Sequence, residues 1–308
     1  MARSYQASVA AMPQIENTTF DPGSSGILAP GRLLRTRALL WGALLFAIVL
    51  GFFFASVLGA GWIGLRGSWF YLPPIVLPII ACLVYAILVR RFERRPAWEM
   101  QISPQLLSDL PFGFLFGGAF ITAMWLLLWS FRLYFAHRGV WSRCFDDFLF
   151  DSYISAVLEE LAFRAVILRI LARVWGVRTG IILSSILFGL AHFSHGSWLG
   201  IFGIILNAGI AMGLLYVITG RLWMSIGFHL GYDFIETSVL GIDSHHGFLV
   251  NVPRPGAAAC LTGGTFGPDA AVPAMILGLL INAVLWRYAF RSRMTSAPSV
   301  NNGQTSNT

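Results

Sequence analysis

The sequence predicts an all-α fold, a polytopic integral membrane helix bundle of about eight transmembrane helices. Three observations lead there. Hydrophobic residues make up 56% of the 308 and charged residues 11%, with mean hydropathy +0.71, a balance unlike that of soluble domains. The apolar residues gather in runs close to the roughly 20 residues that cross a bilayer. Arginines border those runs unevenly.

Taken in order, residues 1–37 form a polar segment with Pro13, Pro22 and Pro30 and no signal-peptide core. The first apolar run therefore reads as an uncleaved span. Runs at 38–60, 71–89 and 110–131 make three N-terminal spans within a region 38–147. A core of 148–241 holds four more, at 148–171, 179–193, 200–219 and 223–241. The fifth span is short, and the sixth carries Gly200, Gly203, Gly209 and Gly213, which suits close helix packing. Residues 242–290 supply an external loop and the last span, 271–290, and 291–308 is a polar tail without periodicity, expected to be disordered. With an even number of spans and the N-terminus inside, fifteen arginines fall on inner segments and five on outer ones, with Arg164 left at membrane depth. This bias predicts cytoplasmic termini in a plasma or inner membrane.

The composition also excludes functions. All of the basic residues are arginine, so Schiff-base and lysine-base chemistry is ruled out. The net charge of +7 is spread beside apolar spans rather than along one stripe, which argues against nucleic acid. Cys82, Cys144 and Cys260 have no metal-ligand spacing; Cys82 reads as a buried thiol, and a Cys144–Cys260 disulfide is left open.

Against this apolar background, ionisable residues within the spans demand a reason, because each costs roughly 2.5–3.5 kcal/mol at membrane depth. Glu159-Glu160-Leu-Ala-Phe-Arg164 lies in the fourth span. At about 100° per residue, Glu160 and Arg164 share a face and form a supporting ion pair, whereas Glu159 points elsewhere without a local counter-charge. It is the candidate general base. Phe188-Gly-Leu-Ala-His192 ends the fifth span, with His195 as a competitor for the role of His192. His229-Leu-Gly-Tyr-Asp233 sets an imidazole and a carboxylate one turn apart on the seventh, a spacing that suits either a metal pair or an Asp that orients its His.

Glu-Glu-x-x-x-Arg, Phe-x-x-x-His and His-x-x-x-Asp, in that order on three apolar helices, resemble the CPBP family of intramembrane proteases, which includes the Rce1-type CAAX prenyl endopeptidases and bacteriocin-processing or self-immunity relatives. Glu93-Arg-Arg-Pro96 and Gly263-Gly-Thr-Phe-Gly-Pro268 are weaker likenesses to bacterial members. The resemblance implies an endopeptidase in which Glu159 and His192 activate water while His229 and Asp233 line the oxyanion site. The family commonly has Asn at the last position. An ionised Asp there accepts but cannot donate, so Asp233 is expected either to be protonated or to orient His229.

The reading is an intramembrane endopeptidase of glutamate type acting on a membrane-embedded, membrane-anchored or prenylated peptide, expected in a bacterium, without a cofactor. Zinc (Zn2+) held by Glu159, His192, His229 and Asp233 is the alternative. A non-catalytic immunity or scaffold protein and a proton-coupled transporter are the competing classes.

Overall fold

The structure is a computed structural model that describes residues 20–193, 197–242 and 247–291. The tail after Arg291, the first 19 residues and His195 lie outside the described residues. The fold is mostly helical. Helix α1 spans Leu34–Trp62, α2 Gly67–Glu93, α3 Leu106–Ser130, α6 Trp198–Thr219 and the last, α8, Val272–Arg291. Between them lie α4 (144–175), α5 (Val177–Ala191) and α7 (223–239).

The helices end where the chain changes hand. Gly176 (φ +90) separates α4 from α5, and Gly220 (φ +66) closes α6, in the left-handed region that glycine enters without a Cβ penalty. The start of α6 is capped by Ser197, whose side chain accepts from the Gly200 amide at 3.1 Å, meeting one of the four donors left over at a helix start.

By length and composition, five helices among the described residues can cross a membrane: α1, α2, α3, α6 and α8. The chain is a multi-pass membrane protein. The other three of the eight expected spans do not meet that measure, for a physical reason. Helix α5 has only 15 residues, and α4 and α7 carry the charges that lower their hydropathy, Glu159, Glu160, Arg164 and Arg169 on one, His229, Asp233 and Glu236 on the other. Burial separates the groups further. In α6 72% of the most apolar stretch is buried, against 22% in α1 and 28% in α8, so α6 joins α4 and α7 at the centre while Leu40, Leu83 and Val284 face outward.

Helices α3 and α7 run side by side in parallel at backbone contact. A Cβ on Gly117 would lie 1.9 Å from the Phe228 carbonyl oxygen, and one on Gly231 would lie 2.0 Å from that of Phe114. Only glycine lets two backbones approach so closely.

The helical fold carries one short two-stranded ribbon that the sequence does not announce. Tyr134–Arg138 (β1) pairs antiparallel with Leu249–Pro253 (β2), Ala136 opposite Asn251. Trp125 Nε1 donates to Asn251 Oδ1 at 2.8 Å, fastening this ribbon to α3. All three cysteines are free.

The N-terminal segment, expected only to be polar, is tied into the bundle from Phe20 onward. Phe20 packs edge-on against Tyr216 at 5.2 Å, and Arg173 donates to the Leu28 carbonyl at 3.0 Å. Beside it, Glu93 accepts from Trp41 (2.8 Å), Arg95 (2.9 Å) and both terminal nitrogens of Arg169 (2.8 and 2.7 Å). Glu99 accepts from Arg95 and from the Tyr85 hydroxyl. Burial alone would raise the Glu99 carboxyl, but the hydrogen bond from Arg95 and the charges of Arg169 and Arg95 outweigh it and hold the group below its ordinary value of 4.5. A lowered folded-state value stabilises the fold above the unfolded pKa and is lost as pH falls through the folded one. Thermal unfolding in detergent should therefore be level above about pH 5 and fall below it, and Glu99→Gln should lower the plateau and flatten that fall.

Candidate active site

The central helices bring the ionisable residues of three sequence segments together. In α4 Glu160 is fully buried, and its Oε1 lies 2.9 Å from Arg164 Nη1, one turn on. The same oxygen is 3.1 Å from His229 Nδ1 on α7. Sequence spacing anticipates only the first contact, since the second joins residues 69 positions apart. Arg164 also donates to the Gly209 carbonyl of α6 at 3.3 Å. Its guanidinium lies 4.4 Å from the centre of the Phe188 ring, a cation held over an aromatic face.

Phe188 is the hub of the site. It is 2% exposed, and its ring centre lies 4.9 Å from that of His192, 5.9 Å from His229 and 5.1 Å from Phe163. One side chain thus shields the Glu160–Arg164 pair from water and sets the spacing of two imidazoles. Phe188→Ala should cost about 3–5 kcal/mol in unfolding measurements and should lower activity even at temperatures where the variant is folded.

Glu159 faces another way. Its side chain is 18% exposed, with Oε2 4.0 Å from His192 Nε2, and that oxygen is buried without a hydrogen-bond partner among the described residues. His192 caps the end of α5, and its Nδ1 is 2.9 Å from the Phe188 carbonyl oxygen. A carbonyl only accepts, so Nδ1 donates to it and the opposite ring nitrogen, Nε2, faces Glu159.

His229 is placed differently. Its Nδ1 meets Glu160 and its Nε2 lies 3.3 Å from Asp233 Oδ2. If both carboxyls are ionised, an imidazolium serves both, and Glu160, Arg164, His229 and Asp233 then sum to zero charge, the arrangement that costs least in a low-dielectric interior. Stretches of wide, π-helical turn adjoin each part of the site, at Leu161–Leu168, Ile205–Gly209 and Phe234–Val239. Such turns re-aim side chains within a helix and are frequent at functional sites.

Glu159, Glu160, Arg164, Phe188, His192, His229 and Asp233 all fall within a single matched segment. Residues 141–235 match the family model described as type II CAAX prenyl endopeptidase Rce1-like. Residues 141–235 are an Rce1-like domain. No curated protein and no solved structure matches the chain. The Rce1-like domain implies a peptidase working within the membrane on protein substrates.

Zinc does not fit the Rce1-like site as it stands. Among the described residues no three His, Cys, Asp or Glu side chains are gathered as a ligand set. His229 commits one ring nitrogen to Glu160 and the other to Asp233, so neither is aimed at a point shared with Glu159 and His192. Sequence reasoning missed a second buried group beside the site, formed by Asn207 and Tyr232 of the domain and Asp269 beyond it. The segment Gly263–Pro268, flagged only as a likeness, leads directly into it.

Proposed function

We propose that this chain is an intramembrane endopeptidase of glutamate type, hydrolysing a peptide bond in a membrane-anchored or prenylated protein. The observation that carries the reading is the Glu159 oxygen 4.0 Å from His192 Nε2, without a hydrogen-bond partner among the described residues. That gap is too long for a direct hydrogen bond and short enough for one water to touch both groups.

Glu159 takes a proton from this water while His192 Nε2 orients it, and the oxygen attacks the scissile carbonyl carbon. As the tetrahedral intermediate forms, the His229 Nε2–H, shared with Asp233 Oδ2 at rest, turns to hydrogen-bond the developing oxyanion and keeps its proton, while Glu160 fixes the opposite nitrogen. When the C–N bond breaks, Glu159 returns its proton to the leaving amine. No net proton or electron is consumed beyond the water added. Glu160 and Arg164 support the site rather than react.

A fluorogenic prenylated CAAX peptide and a membrane-anchored bacterial precursor are the probes for the reading. Cleavage of either by purified protein supports it, and cleavage of neither, together with proton-coupled uptake of a solute in liposomes, would replace it with transport. Asp233→Asn should retain or raise activity, because the amide keeps the shape and adds a donor. Activity lost in that variant along with stoichiometric zinc, and restored by added zinc, would instead support a metal-dependent enzyme.

The same reading has the chain crossing the membrane eight times, with α4, α5 and α7 shielded by the other five. A reporter fused after Met294 should then score cytoplasmic and one inserted at Gly256 external, as the arginine bias requires. An external score at Met294 would mean one crossing too many or too few.

A further inference from the structure

Three polar side chains from three parts of the chain meet beside the site without belonging to any of its motifs. Tyr232, on α7 next to Asp233, donates its hydroxyl proton to Asp269 Oδ1 at 2.7 Å, and Asn207 Nδ2 of α6 donates to the same oxygen at 3.0 Å. Asn207 is fully buried, Tyr232 is 4% exposed and Asp269 7%. Behind them Asn282 of α8 donates to the carbonyls of Leu206 and Asn207 at 2.6 and 3.2 Å, holding the wide turn of α6 that carries Asn207.

The backbone around Asp269 is as closely determined as its side chain. Residues 268–270 form one tight turn between Gly267 (φ +95) and α8. A Cβ on Gly203 would come within 1.8 Å of the Asp269 carbonyl oxygen, so this turn is pressed onto α6. A buried carboxylate on a loop that costs so much to seat needs a function, and the element it grips is the one presenting His229 and Asp233.

We propose that Asp269 is a positioning residue of the peptidase site, fixing the rotation of α7 through Tyr232 so that the His229–Asp233 face is held against Glu160 and Glu159. The proposal rests on the peptidase reading above. A helix carrying His229 at 3.1 Å from Glu160 tolerates little rotation before that bond is lost, and misplacement of a catalytic group by about 1 Å can cost on the order of a hundredfold in rate.

The test compares wild type with Asp269→Asn, Asp269→Ala, Tyr232→Phe, the Tyr232→Phe/Asp269→Ala double variant and Gly203→Ala, each in detergent at a temperature where it is folded. Asp269→Ala and Tyr232→Phe should each lower kcat about tenfold to a hundredfold with KM changed less than twofold. The double variant should be no worse than the poorer single, since both remove one contact. Gly203→Ala, which drives the turn away without removing a polar side chain, should lower kcat in the same way, and Asp269→Asn, which keeps an acceptor for Tyr232, should recover part of the rate. Wild-type kcat in folded Asp269→Ala, or losses that add in the double variant, would overturn the proposal.

A second readout works without turnover. The histidine ring resonances of His192 and His229, assigned by substitution, should shift in Asp269→Ala and Tyr232→Phe. Wild-type positions in both variants would overturn the proposal even if no peptide is ever cleaved. If instead Glu159→Gln cleaves as well as wild type while these resonances shift, the peptidase mechanism fails and the positioning of α7 stands.

Discussion

Glu159→Gln protein, purified and folded, should cleave the probe peptides at least about a hundredfold more slowly than wild type, the low end of what a positioned general base contributes. The substitution is nearly isosteric and breaks no direct hydrogen bond among the described residues, because Glu159 Oε2 lies 4.0 Å from the His192 ring nitrogen. Its thermal midpoint should accordingly match wild type or exceed it, since a buried oxygen without a partner is a destabilising feature. His192→Gln should fall by a similar factor, and the double variant should lose little more, as expected of two groups that hold one water. A Glu159→Gln enzyme with full turnover would remove the glutamate mechanism.

A loss of stability as large as that of Phe188→Ala should come from Glu160→Gln and Arg164→Leu. Each leaves a charge stranded in the centre of the bundle, at about 3–5 kcal/mol for a broken buried pair, measurable as an earlier unfolding midpoint in detergent. Glu160→Gln should be the more damaging to function, because it also removes the acceptor 3.1 Å from His229 Nδ1. The double variant Glu160→Gln/Arg164→Leu should regain part of the stability without regaining activity. Equal stability of wild type and both single variants would show that the pair carries no weight in the fold.

These two outcomes also mark how far the sequence could be read. The contact of Glu160 with Arg164 is legible because one helical turn relates them, and the different direction of Glu159 follows from the same geometry. Long apolar runs identify α1, α2, α3, α6 and α8 for a similar reason: each is a local property of 20 or more residues. Contacts between segments are not local. Nothing near Glu160 in the chain announces His229, and nothing near Asp269 announces Tyr232 and Asn207. Glu93, Arg95, Glu99 and Arg169 read as loop and border charges, yet they are buried together, because the chain between α2 and α3 folds back onto the end of α4. The ribbon of β1 and β2 escaped for another reason, since five-residue strands separated by more than 100 residues leave no periodic signal in an apolar chain.

The backbone contact of α3 with α7 bears on how this protein can be cut and recombined. The Rce1-like match begins at residue 141, so α3 lies wholly outside it, yet Gly113 and Gly117 abut the carbonyls of Met224 and Phe228, and Gly227 and Gly231 abut those of Leu110 and Phe114. The boundary drawn by family resemblance therefore divides one interlocked pair of helices. A chimera that imports 141–235 into another host inherits His229 and Asp233 without the ridge on which their helix rests, and its own third helix must bring glycines at the matching depth and spacing. The unit that can be exchanged is at least 106–239, against the 141–235 that similarity alone would excise.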